Sequence, residues 1–112
     1  LQAPSVLESC LLAGNSALVG AVASGGGAIY LGDSVTEPTV ISNCTFHRNI
    51  ATGGAAGALF TSPVLVEGCT FCSNVVLSID GGGGALTLHY GTVTNSRFYR
   101  NSAATGGGMT VY

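Results

Sequence analysis

Apolar and polar residues alternate over short stretches of this chain, and the same stretch returns four times. The copies are Val6-Leu7-Glu8-Ser9-Cys10-Leu11-Leu12, Val40-Ile41-Ser42-Asn43-Cys44-Thr45-Phe46, Leu65-Val66-Glu67-Gly68-Cys69-Thr70-Phe71 and Thr92-Val93-Thr94-Asn95-Ser96-Arg97-Phe98. Each copy leads to an asparagine: Asn15, Asn49, Asn74 or Asn101. Counted back from that asparagine, one column holds Leu7, Ile41, Val66 and Val93. A second holds Cys10, Cys44, Cys69 and Ser96, and a third Leu12, Phe46, Phe71 and Phe98. Alternation of period two, rich in β-branched and aromatic residues, predicts strands rather than helices. A glycine-rich phrase follows each asparagine, and after it apolar residues again alternate: Ile29 and Leu31, Leu59, Leu86 and Leu88, Met109 and Val111. Tyr30, Phe60, Thr87 and Thr110 stand between or beside them, and Thr61 breaks the pattern in the second copy.

The asparagines are spaced 34, 25 and 27 residues apart. A unit of about 25 residues with three short strands and three turns has the size of one rung of a β-solenoid. The longer first interval carries two insertions, one after Asn15 and one at Gly32-Asp33-Ser34-Val35-Thr36-Glu37-Pro38, both at predicted turns. The expected fold is all-β: a right-handed parallel β-helix of about four rungs, roughly 5–38, 39–63, 64–91 and 92–112, forming one segment. One rung cannot bury its apolar face alone. Rungs stacked in parallel at about 4.8 Å pair every strand with its neighbours, and the crossovers of parallel strands are right-handed. Inward columns then become ladders of like residues, aliphatic, thiol and aromatic, with the asparagine amides bonded one above another at a turn.

Composition narrows the picture. Of the 112 residues only 7% are charged, none is lysine, and the net charge is −2, which argues against nucleic acid and against electrostatic binding to anionic lipid. Eighteen glycines disfavour a helical domain. The most apolar run, Leu11 to Ile29, is interrupted by Asn15, Ser16, Ser24 and glycines, so no membrane span is expected. No signal-peptide pattern is evident. The chain therefore reads as an excerpt of a longer solenoid, or as one whose uncapped ends are covered by other protein chains.

The phrases Phe46-His47-Arg48-Asn49, Phe71-Cys72-Ser73-Asn74 and Phe98-Tyr99-Arg100-Asn101 alternate with Gly26-Gly27-Ala28-Ile29, Ala56-Gly57-Ala58-Leu59, Gly83-Gly84-Ala85-Leu86 and Gly107-Gly108-Met109. This alternation resembles the repeats of the chlamydial polymorphic outer membrane protein family, related forms of which occur in large surface proteins of algae and other protists. The resemblance implies a right-handed parallel β-helix in an extracellular or cell-surface protein with an adhesive role.

Candidate chemistry is sparse. Cys10, Cys44 and Cys69 share a column, expected as a buried thiol ladder, although neighbours at rung spacing also fall within reach of a disulfide. Cys69 and Cys72 form a Cys-x-x-Cys without the second pair that zinc requires. No metal or other cofactor is expected. His47, Arg48, Tyr99 and Arg100 form a candidate surface patch for a glycan or a protein. Asn43-Cys44-Thr45 is an N-glycosylation sequon. The acids Glu8, Asp33, Glu37, Glu67 and Asp80 are scattered; Glu8 and Glu67 share an outward column two rungs apart. No catalytic group is expected. The function predicted is a structural or adhesive segment acting through protein–protein or protein–glycan contacts in an assembly. The alternative is a non-catalytic part of a carbohydrate-active β-helix enzyme.

Overall fold

Each copy of the repeat folds as short extended pieces separated by single-residue bends. The computed structural model describes residues 6–17, 27–31, 39–52, 58–60, 63–77, 83–103 and 107–111. The first rung holds β1 (Val6–Glu8), β2 (Leu11–Ala13), β3 (Ser16–Ala17) and β4 (Ile29–Leu31). The second holds β5 (Thr39–Ser42), β6 (Thr45–His47), β7 (Ile50–Ala51) and β8 (Ala58–Phe60). The third holds β9 (Val64–Glu67), β10 (Thr70–Cys72), β11 (Val75–Val76) and β12 (Leu86–Leu88). The fourth holds β13 (Gly91–Thr94), β14 (Arg97–Tyr99) and β15 (Met109–Val111). Both insertions of the first interval, together with Asp33, Glu37, Asp80, Gly26, Gly57 and Thr61, lie outside the described residues.

The strands assemble into four parallel sheets, each taking one strand from successive rungs: β1-β5-β9-β13, β2-β6-β10-β14, β3-β7-β11 and β4-β8-β12-β15. A single bridge between Val75 and Ser102 carries the third sheet into the fourth rung. The coil thus has four strand positions where three were expected. The extra one is the two-residue strand after each asparagine, too short for any alternation to reveal.

One register also differs. Leu59 was aligned with Ile29 and Leu86, but Ala58 pairs with both, while Leu59 pairs with Tyr30 and Thr87 and Phe60 with Leu31 and Leu88. In the second copy the positions of Ile29 and Leu31 are thus taken by Ala58 and Phe60, ahead of Thr61.

Inward residues stack by kind. Ile41 and Val66 are buried under the first sheet, and Phe46 and Phe71 under the second. Leu7, Val93, Leu12 and Phe98 continue these columns at the ends, where they are only partly covered. The rings of Phe46 and Phe71 lie 4.5 Å apart at 6°, and those of Phe71 and Phe98 lie 4.9 Å apart at 1°. These separations bracket the strand spacing of about 4.8 Å, so the sheet imposes its own repeat on the aromatic stack.

The asparagine column is hydrogen-bonded throughout. Asn49 donates from Nδ2 to the Leu12 carbonyl (3.0 Å) and to Asn74 Oδ1 (3.0 Å). Its own Oδ1 accepts from the Asn15 amide (3.1 Å) and Asn15 Nδ2 (3.0 Å). Asn74 repeats the pattern, donating to the Phe46 carbonyl (3.1 Å) and Asn101 Oδ1 (2.9 Å), and accepting from the amide (3.1 Å) and Nδ2 (3.0 Å) of Asn49. Both amides are fully buried and use all four of their hydrogen-bonding positions.

Bends between sheets recur at fixed places. Ser9, Asn43, Gly68 and Asn95 turn the chain from the first sheet to the second, and Gly14, Arg48, Ser73 and Arg100 turn it from the second to the third. All eight have φ between 50° and 68°, a conformation that costs a non-glycine residue about 1–2 kcal/mol. The stack offsets that cost: the Asn43 amide donates to the Glu67 carbonyl at 2.9 Å, and the Arg48 amide to the Cys72 carbonyl at 3.1 Å. Gly84 is required for a different reason. A β-carbon there would collide with the Gly107 carbonyl oxygen and lie 2.8 Å from the Ser102 nitrogen.

Two substitutions separate the contributions of packing and amide bonding. Phe71→Ala is expected to lower unfolding free energy by about 3–5 kcal/mol. Asn74→Ala strands a buried carbonyl and two buried N–H groups, and is expected to cost more than about 3 kcal/mol despite removing fewer atoms. Denaturant unfolding measures both; an Asn74→Ala protein as stable as the parent would contradict the ladder.

Candidate functional site

With every inward column filled by packing, displayed chemistry falls on the outer faces. In the second sheet the central residue of each strand, Leu12, Phe46, Phe71 or Phe98, points inward, so the residues on either side point out. The outer columns there are Leu11, Thr45, Thr70 and Arg97, and Ala13, His47, Cys72 and Tyr99. Beside the second column run the bend residues Arg48, Ser73 and Arg100.

Cys72 is the centre of this surface. His47 flanks it in the rung before and Tyr99 in the rung after. The separation between His47 Nδ1 and Cys72 Sγ is 2.9 Å, within hydrogen-bond distance. On the other side, hydrogen bonding to Cys72 raises the Tyr99 phenol above its ordinary value; the nearby Arg100 and Arg97 oppose that rise. Cys72 is only 6% exposed, with the larger His47 and Tyr99 on either side of it in the column. Arg48, Arg97 and Arg100 are the only basic residues in the chain apart from its two histidines. All three lie within one rung of Cys72.

The structure places the four expected patch residues as two pairs. His47 and Tyr99 lie two rungs apart, joined through Cys72. Arg48 and Arg100 are likewise two rungs apart, with Ser73 between them. Cys72 and Arg97, which the expected patch left out, join it on this face: Cys72 in the column of His47 and Tyr99, and Arg97 in the column beside it. The signal was present: a residue next to an inward phenylalanine must face out, whatever its hydrophobicity.

Cys69 and Cys72 fall on opposite faces. Cys69 belongs to the core cluster, and Cys72 to the outer surface, so the Cys-x-x-Cys does not converge on anything. All four cysteines are free thiols. The inward ones form a weakly bonded ladder: Cys44 Sγ donates to the Ser42 carbonyl (3.2 Å) and accepts from the Cys10 amide (3.4 Å). Cys69 Sγ lies 3.5 Å from the Glu67 carbonyl, and Ser96 Oγ takes the next place by accepting from the Cys69 amide at 3.2 Å.

Glu8, Ser42, Glu67 and Thr94 form an outer column of the first sheet, so Ser42 separates the two carboxylates. Asn43, the sequon residue, is exposed at its bend.

The chain belongs to the right-handed β-helix family: residues 5–112 match the family model for a right-handed β-helix region. That match establishes the hand of the coil expected from parallel crossovers. No curated protein and no solved structure matches the chain.

Burial, more than any other influence, pushes the Cys44 and Cys69 thiols above their ordinary value. A raised acid favours the protonated form in the folded state, so its contribution to stability is complete below the unfolded thiol value and is lost as pH rises through the folded one. Unfolding midpoints should therefore be flat through neutral pH and fall from about pH 8.5 upward. Cys44→Ala should make that fall shallower. An unchanged alkaline slope would exclude the thiol ladder as its source.

Proposed function

We propose that this chain is a structural, adhesive segment of an extracellular or cell-surface β-helix protein, acting through protein–protein or protein–glycan contacts in an assembly. A β-helix domain suits a surface or structural protein and a carbohydrate-active enzyme alike. The observation favouring the first is the division of labour between faces. Inward columns serve stacking, and the basic side chains gather on the outer face of the second sheet around His47, Cys72 and Tyr99. The exposed carboxylates Glu8 and Glu67 stand on a different sheet with Ser42 between them, an arrangement that suits a solvated surface better than an acid–base pair. The repeat pattern's resemblance to polymorphic outer membrane proteins supports the same reading at the level of family.

The partners are other protein chains, or further rungs of the same solenoid, at the two ends, with glycans or acidic protein surfaces at the arginine face. Among the described strands, β1 and β2 at one end and β13 and β14 at the other each pair on one side only. An unpaired sheet edge attracts another strand. Residues 1–112 produced alone should associate or lose structure; a folded monomer of 11.1 kDa by light scattering would overturn the end-contact part of the proposal.

The face is tested separately. In the full protein displayed on cells, Arg48→Ser with Arg100→Ser should reduce retention on acidic polysaccharide or acidic protein, and the parent's retention should weaken in high salt. Equal retention of variant and parent would remove the arginine face from the contact. Asn43 is the position this function assigns to a glycan, and glycosidase treatment should then shift the mass of its peptide.

A further inference from the structure

The four thiols of this chain sit in two environments that differ in kind. Cys10, Cys44 and Cys69 lie in one inward column, where each sulfur bonds to main-chain carbonyls. Cys72 points to the other side of the wall and bonds to an imidazole. A thiol hydrogen-bonded to a base is an activated nucleophile when a reactant can reach it. Cys72 lies between His47 and Tyr99 in its outer column. Its cover is Tyr99, itself 49% exposed, and His47, which is partly exposed. Movement of the exposed Tyr99 side chain is the rearrangement that would admit a reactant to the sulfur.

Charge selects the reactant. Arg97 occupies the outer column beside the thiol column, and Arg48 and Arg100 occupy the bend next to it in the rungs before and after. Cationic neighbours attract anions.

We infer that Cys72 is a modification site, where the His47-paired thiol exchanges with anionic low-molecular-weight disulfides to form a mixed disulfide on the outer face of the second sheet. In the step, His47 Nδ1 takes the Cys72 proton as Sγ attacks one sulfur of the incoming disulfide. The new S–S bond forms as the old one breaks, and the departing thiolate leaves as a thiol with the proton from His47. The incoming disulfide is the oxidant and half of it is the reduced product, so electrons and protons balance.

The product has no exit within the chain. The other three cysteines of the sequence are the inward ones, across the wall from Cys72. The mixed disulfide therefore persists until an external thiol removes it. This chemistry stands independently of whether the face also contacts a glycan or a protein.

The experiment exposes the full, folded protein to dithiobis(nitrobenzoate), an anionic disulfide, and to the neutral dithiodipyridine, and locates the label by peptide mass. Cys72 should react at least about tenfold faster than Cys44 and Cys69, which stay protected until unfolding. His47→Ala should slow Cys72 with both reagents by about tenfold or more. Arg97→Gln with Arg100→Gln should slow only the anionic reagent, reducing its rate relative to the neutral one severalfold, and high salt should do the same to the parent. Tyr99→Ala should accelerate both reagents, which guards against reading a folding defect as lost reactivity. Labelling of Cys72 no faster than Cys69, or a rate indifferent to His47→Ala, would overturn the site. A ratio indifferent to the arginines would overturn its preference for anions.

Discussion

Everything in this structure depends on one spacing. Parallel strands sit about 4.8 Å apart, and each element that recurs in the sequence recurs because it can be repeated at that distance. The asparagine amide meets the requirement best. Its oxygen accepts from the rung before and its nitrogen donates to the rung after, while a second N–H closes on a main-chain carbonyl. An amide held this way cannot shift by one residue without leaving several buried groups unpaired. The column therefore fixes the phase of each rung as well as binding rungs together. The phenylalanines follow the same spacing, and their near-parallel rings take a geometry chosen by the backbone.

That dependence explains what could be read from the chain and what could not. Phe46, Phe71 and Asn74 were legible because their columns repeat, and repetition at fixed offset carries the register with it. The strand Ala58–Phe60 was misaligned by one residue because its glycine phrase is altered, leaving apolar residues on both candidate registers. The strands Ile50–Ala51 and Val75–Val76 were invisible, since two residues cannot show a period. The left-handed bends at Arg48, Ser73 and Arg100 gave no sign either. Residue types that usually avoid that conformation adopt it here, and the amides of Arg48 and Ser73 bond to the next rung.

The candidate surface shows the same limit in a different form. His47, Arg48, Tyr99 and Arg100 could be grouped because they lie between an inward phenylalanine and a buried asparagine. Cys72 occupies the same column, but a cysteine near another cysteine invites pairing with it, and composition suggests an interior thiol. Orientation decides the matter: Cys69 and Cys72 are three residues apart and on opposite sides of the wall. A residue's type indicated less here than its position relative to Phe71.

The asparagine column also has a direction. In the bonds from amide to amide, every Nδ2 donates toward the later rung and every Oδ1 accepts from the earlier one. The stack is consequently polar, like a row of aligned dipoles: the Asn15 end presents amide oxygen and the Asn101 end presents amide N–H. Two identical ends cannot satisfy each other across a twofold axis, since donor would meet donor or acceptor would meet acceptor. Opposite ends can, and an interface joining unlike surfaces does not close on itself. Continuation of the ladder, into further rungs or into another molecule, would therefore run head to tail along the coil axis.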